Sequence, residues 1–151
     1  MVNYEHGKIY KIVCNETGLI YIGSTAQKYL STRLGGHKAN YKQYLNGNFN
    51  YITSFKIIEG NNFDILLIEK YSCKDNYELK AKERYYSETM DCVNKTIPNR
   101  TPKEHYIDNK KTLNKNSRTH YKDNKEKRKK QIKHYRKTNK ENIQEHNRQY
   151  Y

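Results

Sequence analysis

The chain has 151 residues, with 30 Lys or Arg against 16 Asp or Glu for a formal charge of +14. That length holds one modest domain. No run approaches the roughly 20 apolar residues of a spanning helix, and the start has no apolar h-region, so a protein with no membrane partner, intracellular and not secreted, is expected. The charge is uneven: residues 1–98 hold 13 basic against 10 acidic side chains, residues 99–151 hold 17 against 6. Lysines and arginines gathered at one end imply a polyanionic partner, nucleic acid first, since neutralised phosphates release counterions and give sequence-blind affinity. An AT-rich coding sequence is the alternative source of part of that charge. Three scattered cysteines, Cys14, Cys73 and Cys92, without a C-x-x-C, predict reduced thiols and no zinc.

In chain order, Lys8 to Val13 and Ile20 to Thr25 are rich in β-branched and aromatic residues. The link Asn15-Glu16-Thr17-Gly18 is a turn, and the pair predicts a β-hairpin. Alternation puts Tyr10 on one face with Lys8 and Ile12, and Tyr21 with Gly23; the register between the strands is left open. From Tyr29 to Asn46, Leu30, Leu34, His37, Tyr41 and Leu45 recur at helical spacing, across a Gly35-Gly36 pair that costs about 1 kcal/mol per glycine. Residues 51–58 fit a short helix or a strand. Phe63 to Tyr71, with Ile65-Leu66-Leu67-Ile68 at its centre, suits a central strand covered on both faces. Asp75 and Glu78 form a capping box pattern opening a helix from Asn76 to Glu88, and the domain closes near Pro98. The order predicts an α/β (α+β) domain over residues 1–98, a small three-stranded mixed or antiparallel sheet flanked by helices.

Residues 99–151 have nine apolar residues, too few to fold around a core, and form a basic tail that is disordered or helical. Its candidate nucleic-acid contacts are Lys103, Lys110, Lys111, Arg118, Arg128, Lys129, Lys130 and Arg136. Tyr106, Tyr121, Tyr135 and Tyr150 recur every 14 or 15 residues, which is about four helical turns. They read either as a stacking ladder for bases or as low-complexity duplication.

Three groups carry candidate chemistry. Arg33 and His37 lie one helical turn apart, either as a solvated face or as a guanidinium clamp on a phosphate beside a proton-handling imidazole. Glu83 falls on the stripe of Leu79 and Tyr86, where a carboxylate needs a positive partner: an ion pair with Arg33 or Arg84, or a hard cation such as Mg²⁺ that keeps several waters.

The words Lys8-Ile9-Tyr10 and Tyr21-Ile22-Gly23 resemble the signature of the GIY-YIG nuclease family, with Lys8 where the first glycine would stand. The resemblance extends to Arg33 and His37 on the following helix, to Glu83 in Lys82-Glu83-Arg84-Tyr85-Tyr86, and to Asn94 in Val93-Asn94-Lys95. It covers residues 7–98 and implies a metal-dependent DNA endonuclease of the free-standing, homing type found in phages and large DNA viruses. In that reading Tyr10, with His37, activates water, and Lys8 helps lower the phenol's pKa. Tyr21 orients the water or phosphate, Arg33 stabilises the phosphate, Asn94 is scaffold, and Glu83 holds one Mg²⁺ (or Mn²⁺). The competing expectations are a catalytically inactive DNA-binding protein and a structure-specific repair nuclease.

Overall fold

The computed structural model describes residues 2–149. It divides into two compact units, Met1–Arg100 and Thr101–Tyr151. Among the described residues no helix is long and apolar enough to cross a membrane.

The first unit is built on three strands, β1 (Lys8–Cys14), β2 (Ile20–Thr25) and β3 (Phe63–Lys70), in the order β2-β1-β3. Both pairings are antiparallel, so the sheet is not mixed. The β1–β2 hairpin closes at Gly18, whose φ of +70° is open to glycine without a Cβ penalty; its N–H donates to the Cys14 carbonyl. Helices cover both sheet faces. On one face Tyr10, Ile12, Cys14 and Ile57 gather Leu30 and Leu34 of α1 (Leu30–Leu45). On the other, Ile9, Ile22 and Leu79 pack with Tyr86 of α3 (Asn76–Thr89).

Two expectations need correction. The strand with the longest apolar run is not central: β3 lies at the sheet edge, with Leu66 and Leu67 46% and 44% exposed. The central place belongs to β1, whose Ile9, Tyr10 and Ile12 are fully buried, because a strand paired on both sides has neighbouring strands shielding its side chains along both of its edges. A bulge between Ile9 and Tyr10 shifts the β3 register there. The ambiguous stretch 51–58 resolves into a short helix, α2 (Phe55–Ile58), burying Phe55, Ile57 and Ile58.

Helix α1 runs through Gly35-Gly36 without a break. Its stripe fades toward the end, leaving Leu45 exposed, and its one buried side chain is His37. Helix α3 opens on Asp75, whose carboxylate accepts from the Glu78 N–H at 2.9 Å. Glu78 answers to the Lys74 N–H instead of Asp75, so the box is half formed.

The second unit is helical: α4 (Pro102–Thr138) and α5 (Lys140–Gln149). Helix α4 starts on a full capping box of Thr101 and Glu104 with Pro102 in its first turn, and it buries none of its side chains. Tyr106, Tyr121 and Tyr135 are exposed; Tyr150 lies outside the described residues.

Candidate active site

The register left open by the sequence is Tyr10 opposite Gly23 and Ile12 opposite Tyr21. Directly opposed residues share a face, so both tyrosines point toward α1. A Cβ on Gly23 would stand 2.5 Å from Cζ and the hydroxyl oxygen of Tyr10. The glycine thus leaves the space in which the Tyr10 ring crosses β2.

That ring ends between Arg33 and His37. Arg33 Nε donates to the Tyr10 hydroxyl oxygen at 2.9 Å, and the hydroxyl lies 2.8 Å from His37 Nε2. Because a guanidinium has no acceptor, the phenol's own proton goes to His37. Nε2 is therefore the bare nitrogen, and Nδ1–H donates to Ser54 Oγ at 3.1 Å, on the turn leading into α2. Ser54 is fully buried and orients the ring; its hydroxyl can donate or accept, so the tautomer follows from the Tyr10 side. The Tyr21 ring meets His37 edge to face at 5.6 Å between centroids.

Burial and then the charge of Arg33 press the His37 pKa down to about 4, so the imidazole is neutral. Burial pushes the Tyr10 phenol up, against the pull of Arg33. Burial, then Tyr10 and Glu83, push Tyr21 well above its ordinary value. Lys8, expected to lower the Tyr10 pKa, is engaged elsewhere: its ammonium donates to the carbonyls of His6 at 2.6 Å and Gln27 at 3.0 Å. Arg33 is the cation that meets the phenol.

Glu83 comes in from α3, 5% exposed. Its positive partner is neither Arg33 nor Arg84. Lys80, one turn earlier on the same helix, places Nζ 2.6 Å from Oε2, and Ser24 Oγ donates to the same oxygen at 2.5 Å. Arg84 pairs with Glu88. Asn94 clamps β2, accepting from the Ile22 N–H at 2.9 Å and donating to the Ile22 carbonyl at 2.8 Å, while the Val93 N–H donates to Ile20. The segment after α3 thus lies along β2 as a strand would.

Tyr21, Arg33, His37, Glu83 and Asn94 line one cleft of about 800 Å³. Tyr10 does not; it is fully buried behind Arg33 and His37. Lys80, Asn40, Lys95 and Arg100 also face the cleft and have no place among the sequence-derived candidates. Lys80 had a signal, its i, i+3 spacing to Glu83; Ser24 and Ser54 had none.

The family model described as the GIY-YIG catalytic domain matches residues 6–91. Among curated proteins none is significantly similar in sequence. Two solved structures are similar. One is a mutant of the catalytic domain of intron endonuclease I-TevI, 17% identical over 63% of this chain and 98% of that one, with a TM-score of 0.47. The other is the catalytic domain of homing endonuclease I-TevI, 18% identical over 60% and 98%, with a TM-score of 0.44. The family match spans more than half of the sequence, and with it this chain belongs to the GIY-YIG family and carries that family's nuclease domain.

Proposed function

We propose that the protein is a metal-dependent DNA endonuclease whose cleft takes one backbone phosphate. The observation that supports this best is the Arg33–Tyr10–His37 hydrogen-bond chain beside a cleft that the Glu83 carboxylate also lines.

Nucleases of this family generally depend on a divalent metal. The residues here fit one ion. A nearly buried carboxylate already draws a cation, the Lys80 ammonium, to its oxygen, so the site accommodates positive charge. Among the described residues no group of three or more His, Cys, Asp or Glu could cage a metal. One carboxylate completed by waters and substrate oxygens suits Mg²⁺ or Mn²⁺. Bound there, the ion supplies charge that polarises the phosphoryl oxygen and stabilises the leaving 3′ oxygen.

The chain's own groups do the rest. Arg33 turns its guanidinium from the Tyr10 oxygen to the phosphate, a better acceptor for a planar fork. That frees the phenol's lone pair for the attacking water. Tyr10 takes the water's proton as it passes its own to His37 Nε2; the water oxygen forms the new bond to phosphorus and the bond to the 3′ oxygen breaks. Imidazolium is unfavourable in a pocket that holds the His37 pKa near 4, so the proton passes on to solvent in the cleft that His37 lines, while the 3′ oxygen leaves on the side opposite the attacking water. Tyr21, edge-on to His37, positions the water, and Asn94 holds β2 in place. The basic tail adds phosphate contacts that set affinity but not sequence.

The test is relaxation of supercoiled plasmid by full-length protein with Mg²⁺. Glu83→Gln is expected to bind DNA and cut at least about a hundredfold more slowly; a variant that cuts as fast as the parent refutes the assignment.

A further inference from the structure

The tail's basic residues, one undivided group in the sequence, separate on α4 into distinct faces. From Lys111, steps of three or four residues land on Lys115, Arg118, Lys122, Lys125, Lys129, Lys133 and Arg136 in unbroken succession. At 100° per residue all eight fall within about 40° of the Lys111 direction. Lys103, Lys110, Arg128 and Lys130 point about 80° to 100° away from that row. Tyr106, Tyr121 and Tyr135 lie about 80° to 140° from it, on the same side as Lys103, Lys110 and Arg128 and away from Lys130. All these side chains are exposed. A shallow groove on the row is bounded by Lys111, Lys115 and Arg118.

We infer that this row is a contact surface for duplex DNA, laid lengthwise against it. The inference rests on the proposed role of the tail in DNA binding and says which face acts and on what form of the substrate. Three observations point to it. Residues 3 or 4 apart on a helix have Cβ atoms about 5 to 6 Å apart, so eight like charges in line repel one another, and an opposing polyanion relieves that repulsion. Among the described residues, Glu126 answers one of them, through Lys129 at 3.0 Å, and such an exposed pair contributes about 0 to 1 kcal/mol. The row is about 37 Å long, so lengthwise it spans about one 34–36 Å turn of B-form DNA and meets the backbones of both strands where they cross its line. A single strand would be gripped by aromatics interleaved with the cations; the row of eight carries no tyrosine, and the tyrosines share their side of α4 with Lys103, Lys110 and Arg128 instead, so the row itself suits the backbones of a duplex.

The experiment uses the full chain in EDTA, so that nothing is cut, with a random-sequence duplex of about 30 base pairs. Two variants remove equal charge and keep helix propensity with glutamine: Arg118→Gln with Lys129→Gln on the row, and Lys127→Gln with Lys137→Gln, about 160° and 80° away, off it. The row variant is expected to weaken binding at least about tenfold and to flatten the slope of log affinity against log salt by about 2. The off-row variant is expected to stay within about threefold of the parent. Equal losses from both overturn the row and leave an unstructured polycation, with the tail's role intact. No loss from either refutes the tail's role itself. Tighter binding to a single strand of the same length, weakened by Tyr121→Ala with Tyr135→Ala, overturns duplex DNA as the occupant.

Discussion

At the residue scale the site depends on what Tyr10 can reach. Gly23→Ala puts a methyl into the Tyr10 ring; such overpacking costs about 1–3 kcal/mol and turns the phenol from Arg33 and His37. Cleavage is expected to fall by about a hundredfold or more, with thermal denaturation confirming a folded protein; unchanged cleavage would mean the phenol's placement is immaterial. His37 carries a pH prediction. Unfolded, it takes a proton below pH 6.5; folded, it resists until about pH 4. The unfolded state therefore binds more protons across that window, and stability falls as the solution is acidified through it. The two values bound the effect at about 3 kcal/mol, so the parent should lose more stability than His37→Gln between pH 6.5 and 4, measured by denaturant titration. Parallel curves would mean the imidazole is not held neutral. Lys80→Met removes the ammonium on Glu83. It is expected to lower the melting temperature in EDTA and to tighten Mn²⁺ binding by about tenfold, roughly 1.4 kcal/mol, by calorimetry; equal affinities would show that Lys80 and the ion do not share the carboxylate. Tyr10, Arg33, His37 and Glu83 were legible because each lies on a patterned element at a spacing that the family resemblance names. Ser24, Ser54 and the Lys80 pairing were not, since a serine's partner is chosen by tertiary packing that local sequence does not encode.

At the scale of elements, hairpin, α1 and α3 were readable from alternation, helical period and the Asp75 cap. The rank of β3 was not. Its run Ile65-Leu66-Leu67-Ile68 looks like a strand buried on both faces, yet at the edge two of those leucines stay exposed, and only the pairing partners of β1 reveal it. Nor does composition show that the segment after α3 is tied to β2. Asn94→Ala there leaves the N–H and C=O of Ile22 without their partners, which costs about 1–3 kcal/mol for each group kept from water. A clear fall in melting temperature is expected, with cleavage lost in step because β2 carries Tyr21 and Gly23. A melting temperature within a degree of the parent would mean that the clamp contributes nothing.

At the scale of the whole molecule, the hydrophobic clusters and all the candidate catalytic groups belong to the unit Met1–Arg100, while α4 has no buried side chain. A chain ending at Arg100 is therefore expected to melt within a few degrees of the full chain, since removing exposed residues changes little. It should also show a much flatter salt dependence of DNA binding; a large drop in melting temperature would mean that the tail contributes to the fold. What the molecule is held to do depends on Tyr10, buried behind Arg33 and His37, and Glu83, in the cleft those two residues line, serving one reaction. Single-turnover plasmid cleavage at saturating DNA and Mg²⁺ tests this with Tyr10→Phe, Glu83→Gln and the two combined. Groups that act as a unit are non-additive: each single change should slow cutting at least about a hundredfold, and the pair should be little worse than the slower single variant. Cutting by Tyr10→Phe at the parent's rate, or losses that simply multiply, would contradict a shared centre.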